Sequence, residues 1–65
     1  MKYHVGDAFR FEDDDSVWKI IALSVTDTIL WYKFATGEYT DWYCDDDIDF
    51  WLSEGGVVYL PSGKS

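Results

Sequence analysis

The chain has 65 residues, of which 13 are Asp or Glu and 5 are Lys or Arg, and its net charge is −8. This length allows one small domain without a deep catalytic cleft, and a content of 48% hydrophobic and 20% aromatic residues is typical of a folded globule rather than of a disordered acidic chain. The negative charge excludes direct nucleic-acid binding of the usual kind and an anionic membrane surface, because both need clustered Lys and Arg.

The first part of the chain predicts two strands separated by an acidic loop. Residues 8–11 follow the turn signal Val5-Gly6-Asp7 and place Phe9 and Phe11 on one face. Residues 12–15 are four consecutive carboxylates, which repel one another and therefore must lie in water. Residues 17–25 are rich in β-branched and aromatic side chains and predict a strand with both faces partly covered.

The second part predicts two more strands, a short helix and a last strand. Residues 29–35 and 39–44 form the strands, joined by a hairpin loop with Gly37 at a positive φ. A helix is expected near residues 46–54: Asp45, Asp46 and Asp47 supply an N-cap and a negative first turn, and Gly55-Gly56 ends it. Within it Ile48, Trp51 and Leu52 share one face, and Phe50 points away from them. Residues 57–60 form the last strand.

Five short strands in so small a chain are expected to close into a barrel, which buries the apolar face and removes exposed edges. The order of elements and the segments Val5-Gly6-Asp7-Ala8-Phe9-Arg10, Trp18-Lys19-Ile20-Ile21, Tyr32-Lys33-Phe34 and Gly37-Glu38-Tyr39 resemble those of small phage-encoded SH3-like barrel proteins of the acidic, inhibitor type. The resemblance covers residues 5–60 and implies a mostly β fold, a small five-stranded SH3-like barrel with one short helix between strands 4 and 5. We expect a single domain over residues 1–60 and a solvated tail over 61–65.

The carboxylates form two clusters, one at residues 12–15 and one at residues 41–49. A run such as 12–15 is by itself typical of a solvated loop. In an SH3-like barrel, however, both clusters would lie at one end, opposite the loop 35–38, and would merge into one array. Such an array can pair with Arg and Lys residues that would otherwise contact nucleic-acid phosphates.

The preferred functional hypothesis is therefore a cytoplasmic, non-enzymatic inhibitor that docks on the basic surface of a nucleic-acid-handling host or defence protein. Exposed rings beside carboxylates are typical of protein-binding hot spots, and Trp42 and Phe50 are the expected anchors. The predicted partner-binding residues are Asp13, Asp14, Asp15, Asp41, Trp42, Asp45, Asp46, Asp47, Asp49 and Phe50. The alternative is an SH3-like module that binds a basic or Pro-rich peptide without inhibiting it.

Catalytic and cofactor sites have little support in the sequence. The spacing Asp45-x-Asp47-x-Asp49 matches the start of a calcium-binding EF-hand loop, but Phe50 and Gly56 stand where the loop needs Gly and Glu. Cys44 is the single cysteine, so an intramolecular disulfide is impossible. His4 is the single histidine and lacks partners for nucleophilic catalysis. We expect no cofactor, no metal, no signal peptide and no membrane-spanning segment.

Overall fold

The computed structural model of the chain describes residues 3–63. Within this range the chain forms five antiparallel strands in one sheet and one helix, in the order β1 (Ala8–Phe11), β2 (Ser16–Thr26), β3 (Ile29–Thr36), β4 (Tyr39–Cys44), α1 (Asp45–Glu54) and β5 (Val57–Leu60). The predicted order of four strands, a short helix and a last strand is confirmed. Met1 and Lys2 of the predicted domain, and Lys64 and Ser65 of the predicted tail, lie outside the described residues.

The sheet is open rather than closed as a barrel. Its strands lie side by side in the order β4-β3-β2-β1-β5, and in the described part of the chain the edge strands β4 and β5 do not pair with each other. β5 has four residues and pairs with β1 along its full length, while α1 packs against β3, β4 and β5. The expected barrel closure is therefore replaced by a helix that covers the apolar face.

The two faces of the sheet have different surroundings. On the inner face, which packs against α1, the side chains of Phe9, Ile20, Tyr32 and Phe34 are fully buried together with Ile48 of the helix. The rings in this core meet at steep angles, such as Tyr3 and Tyr32 at 73° with centroids 5.7 Å apart. The outer face carries the alternate residues, and no element among residues 3–63 covers it.

The registers between strands determine which loops share an end of the sheet. Because β1, β2, β3 and β4 are joined as successive antiparallel hairpins, the loop at residues 12–15 and the turn at residues 37–38 lie at one end, here called the loop end. The turn at residues 27–28 and the start of α1 lie at the other, here called the turn end. α1 crosses the inner face toward the loop end, where the Glu12 N–H donates to the Gly56 carbonyl at 2.8 Å.

A β-bulge in β2 determines which residues of this strand face the core. The pairing shifts between Ile20, opposite Phe34, and Ala22, opposite Lys33. Ile21 is the extra residue, and after it the alternation is reversed. Leu23 therefore lies opposite the buried Tyr32 on the inner face, where it packs against the core.

A buried carboxylate joins the two ends of the described chain. Asp7 is 2% exposed and accepts hydrogen bonds from the Tyr59 hydroxyl at 2.7 Å, the Ser62 N–H at 2.8 Å and the His4 N–H at 3.0 Å. Burial by itself would raise the pKa of Asp7, but these hydrogen bonds outweigh it and lower the pKa below its usual value. The bond to Asp7 also raises the pKa of Tyr59 to about 12. The carboxylate thus holds residues near both termini against the sheet.

Candidate protein-binding surface

The acidic loop at residues 12–15 and the helical part of the second cluster, which begins at Asp45, lie at different ends of the sheet. The loop at residues 12–15 is at the loop end, on the same side as the turn at 37–38, whereas Asp45 and Asp46 line a cavity with Thr28, Ile29, Leu30 and Cys44 at the turn end. The expectation that the clusters merge opposite the loop 35–38 is therefore wrong. The physical reason is the hairpin order in an open antiparallel sheet, which places alternate connections at opposite ends.

Several carboxylates of the second cluster bind groups of the protein itself. Asp45 accepts a hydrogen bond from the Tyr32 hydroxyl at 2.7 Å, and Asp49 accepts one from the Tyr3 hydroxyl at 3.4 Å. Asp47 accepts a hydrogen bond from the Cys44 N–H at 3.2 Å. Cys44 is the N-cap residue of α1, so the predicted N-cap at residues 45–47 is one residue too late, and these three residues form the acidic first turn.

The first cluster is exposed, and local hydrogen bonds order part of it. Asp14 accepts a hydrogen bond from the Ser16 N–H at 3.0 Å, and hydrogen bonding by Ser16 lowers the pKa of Asp14 below its usual value. Asp15 lies 3.4 Å from the Arg10 guanidinium and has a φ of 62°. Asp14 is therefore fixed beside the start of β2 as a carboxylate that stays ionised at neutral pH.

An aromatic cavity opens directly beside this loop. Its walls come from four elements: Phe11 of β1, Trp18 of β2, Tyr43 of β4 and Trp51 of α1; Asp13, Asp14 and Ser16 complete the lining. The cavity has a volume of about 270 Å³. We call it the acidic aromatic pocket. It is the place where an acidic cluster and a group of rings meet, and rings and carboxylates together suit a positively charged, partly apolar group.

Contacts between the rings hold the walls of the acidic aromatic pocket in place. The Tyr43 and Trp51 centroids lie 4.8 Å apart at 71°, and those of Phe11 and Trp51 lie 5.4 Å apart at 70°. The Tyr43 hydroxyl donates to Asp41 at 3.1 Å; burial, with smaller effects from Asp41, raises the pKa of Tyr43. Asp41, which the sequence groups with the second cluster, thus contacts a wall of the pocket.

The predicted anchors Trp42 and Phe50 lie on opposite faces of the sheet. Trp42 is 42% exposed on the outer face, where it lines an open cavity of about 400 Å³ with Ser24, Thr26 and Trp31. Phe50 is 61% exposed on α1, which covers the inner face. The hypothesis that both rings anchor one contact is therefore wrong, because the alternation along β4 turns Trp42 away from the helix.

The sequence analysis identified Asp13 and Asp14 as acidic loop residues and Trp51 as a residue of the helix. It did not predict that these residues meet in one pocket. Trp18 and Tyr43, which belong to the predicted strands 17–25 and 39–44, are both half-buried at the pocket. Trp51 was expected in the helix core stripe, and it is in contact with Phe9 and Phe34. Phe11 and Ser16 were not singled out for a site. One sequence feature could have indicated the pocket. Asp41 and Tyr43 are two residues apart on one strand, so an acidic and an aromatic side chain share a face there.

Metal and membrane features can be stated for residues 3–63. In this range, His, Cys, Asp and Glu side chains do not gather in groups of three or more that could hold a metal ion. The single described helix is too short to cross a membrane.

Comparison with known proteins returned no matching family model, no matching curated protein and no matching solved structure. The resemblance to small phage-encoded SH3-like proteins therefore stays a prediction.

Proposed function

We propose that the protein is a non-catalytic binding domain for a positively charged segment of another protein, with the acidic aromatic pocket as its contact site. The observation that carries this proposal is the meeting of Asp13 and Asp14 with the rings of Trp18, Tyr43 and Trp51 in one cavity. This is the basic-peptide alternative weighed from the sequence. A closed SH3-like barrel is not part of the proposal, because the pocket needs only the open sheet and its helix.

Charge supports the class of partner. With a net charge of −8 the protein attracts basic segments and repels nucleic acid, and this attraction acts over about 8 Å at physiological ionic strength. Hydrogen bonding by Ser16 lowers the pKa of Asp14, and the Ser16 N–H holds this carboxylate beside the pocket. A basic segment would therefore be drawn to the loop end and held there by rings that provide contact area.

The rigidity of the acidic aromatic pocket supports binding without a large entropic cost. Its rings belong to β1, β2, β4 and α1, and Trp51 is in edge-to-face contact with Phe9, Phe11, Phe34 and Tyr43. Preformed walls lose little freedom when a ligand enters, so more of the contact energy appears as affinity.

The test is titration with a lysine-rich peptide and with a neutral peptide of the same length, followed by calorimetry at low and physiological salt. Wild-type protein should bind the basic peptide, and the Asp13→Asn/Asp14→Asn double variant should bind it about tenfold more weakly, a loss of about 1.4 kcal/mol. Asn at position 14 can still accept from the Ser16 N–H, so the loop geometry is kept.

The matched control removes two charges elsewhere. Asp27→Asn/Asp46→Asn changes two exposed residues at the turn end that do not line the acidic aromatic pocket, so the affinity of this variant for the peptide should fall only by the loss of long-range attraction, about twofold. Equal losses in both double variants would show that net charge alone attracts the peptide, and the proposed contact site would be wrong.

Inhibition of a nucleic-acid-handling protein is the second candidate, favoured by the solvent side of α1. There the exposed Phe50 has Asp46 and Glu54 one turn away on either side and Asp47 three positions before it. An Asp45→Ser/Asp46→Ser/Asp47→Ser variant should slow association with such a partner, and Phe50→Ala should speed dissociation. Unfolding measured beside binding controls for a weakened helix start. Failure of DNA and RNA to compete for the partner would exclude this candidate.

A further inference from the structure

We propose that the acidic aromatic pocket holds a single alkylammonium group, the end of a lysine side chain, and holds it more tightly when the nitrogen is methylated. This inference rests on the proposed function and names the group that the contact site selects. Three properties of the pocket carry it: the angles between its rings, the share of aromatic residues in its lining, and its size.

The ring angles favour an ammonium over a guanidinium. Trp51 meets Tyr43 at 71° and Phe11 at 70°, so the walls do not share a common plane. A planar guanidinium stacks on one ring at a time. A compact, nearly spherical alkylammonium can lie close to several rings in different orientations, and each ring in reach contributes cation–π attraction.

Ring surface makes up much of the lining. Four of its seven residues are aromatic, and Asp13, Asp14 and Ser16 provide the polar part. The carboxylates attract the positive charge of an ammonium whether or not its nitrogen carries methyl groups. Methyl groups keep that charge and add apolar surface that the rings can bury, so methylation strengthens binding.

The size of the pocket fits a side-chain end. Its volume of about 270 Å³ lies just below the range of about 300–1,000 Å³ that is usual for small-molecule sites. The carboxylates of Asp13 and Asp14 complement the positive charge of the group that enters. The end of one side chain fits within this volume, while the rest of the bound segment lies outside the walls.

The first test uses two small probes of the same shape. Choline and 3,3-dimethyl-1-butanol differ by one atom, a charged nitrogen in place of a neutral carbon, and each is titrated into the folded protein while the indole N–H resonances are followed by NMR. Choline should shift the signals of Trp18 and Trp51 and leave those of Trp31 and Trp42, on the outer face, unchanged. The neutral probe should bind at least about fivefold more weakly.

The second test uses peptides that differ at one position, carrying Lys, trimethyl-Lys or Arg. We expect trimethyl-Lys to bind most tightly and Arg least tightly. Trp18→Leu keeps an apolar wall but removes a ring, so it should remove most of the preference for trimethyl-Lys. Trp31→Leu, the matched variant on the outer face, should keep that preference. Dispersed NMR spectra of both variants confirm that they are folded.

The outcomes separate this inference from the proposed function. Equal binding of choline and its neutral analogue, or shifts confined to Trp31 and Trp42, would overturn the ammonium pocket. Tighter binding of the Arg peptide than of the trimethyl-Lys peptide would overturn it as well. If the lysine-rich peptide still binds in these cases and still loses affinity in Asp13→Asn/Asp14→Asn, the proposed function stands without the ammonium pocket. If the basic peptide does not bind at all, both are wrong.

Discussion

The inner and outer faces of the sheet share the same strands but differ in almost every other property. The inner face is covered by α1 and contains the fully buried side chains of the core. The outer face is left uncovered by the described chain and carries its three Lys and Arg residues, which are Arg10, Lys19 and Lys33. Alternation along each strand separates the residues that stabilise the fold from those that meet solvent.

The acidic aromatic pocket lies where the inner face reaches the loop end. Trp51 belongs both to the core and to the pocket, because it contacts Phe9 and Phe34 as well as Tyr43. By contrast, the open cavity beside Trp31 and Trp42 is isolated from the core. The Trp51 ring of the pocket is therefore supported by the packed core behind it, whereas the rings on the uncovered face are not.

The largest effect is expected from a core truncation on the inner face. Phe34→Ala removes a fully buried ring and should lower the free energy of unfolding by about 3–5 kcal/mol. Since a domain of this size has a total stability of about 3–10 kcal/mol, much of the variant should be unfolded at room temperature. Circular dichroism during urea unfolding measures this. A loss below about 1 kcal/mol would contradict the assignment of the core to this face.

Loss of the buried carboxylate should have the next largest effect. Asp7→Asn replaces an acceptor of three hydrogen bonds by a group with one acceptor, and should cost about 2 kcal/mol. Asp27→Asn, at an exposed turn, is the matched control and should change stability by about 0.5 kcal/mol or less.

The pH dependence of stability tests the same carboxylate. Because the folded protein lowers the pKa of Asp7, its contribution is fully present above the unfolded value of about 3.9 and is lost as the pH falls through the folded value. Wild-type protein should therefore lose stability below about pH 4, and Asp7→Asn should lose less over the same range. Identical acid profiles of the two proteins would show that Asp7 is not responsible.

Removing the exposed Trp42 ring from the outer face should have a smaller effect on the free energy of unfolding. Trp42→Ala removes a side chain that is 42% exposed, and it should lower the free energy of unfolding by about 1 kcal/mol, much less than Phe34→Ala on the neighbouring strand. Its affinity for the basic peptide should stay as in the wild type. Weaker peptide binding by this variant would move the contact site to the outer face.

Replacing Lys33, the cation beside the Trp42 ring, should have the smallest effect on the free energy of unfolding. The Lys33 Nζ lies 5.7 Å from the centre of the Trp42 ring, a distance at which an exposed cation–π contact contributes about 0.5 kcal/mol. Lys33→Met keeps the apolar stem and should change the free energy of unfolding by no more than that. A loss above about 1 kcal/mol would mean that the outer face contributes more to the fold than its exposure indicates.

Much of the fold could be predicted from local patterns. The hairpin loop with Gly37 at a φ of 57° is confirmed, and α1 begins at Asp45, one residue before the predicted start, and ends at Glu54 as expected. The helix phase also places Ile48 inside and Phe50 outside. Strand alternation does not account for the 76% exposure of Tyr39, because alternation assigns a face to a residue but does not say how far along the strand that face is covered.

The candidate site was less predictable. The carboxylates of residues 12–15 and their exposure could be derived from charge repulsion alone. That Asp13 and Asp14 border Tyr43 and Trp51 depends on contacts between residues more than 25 positions apart in the chain. Such neighbours follow from the way α1 crosses the inner face, which no local pattern contains.

The sequence by itself determined the order of the elements, the inner side of α1 at Ile48 and Trp51, and the acidic surface, because each depends on periodicity, turn chemistry or charge within a short window. Only the tertiary structure decided that the sheet stays open, that the Ile21 bulge turns Leu23 inward, and that the acidic loop and the helical part of the second cluster lie at opposite ends. These features depend on which distant segments pair and pack. That choice is made by burying the most apolar surface in the whole chain, and it cannot be read from any one segment.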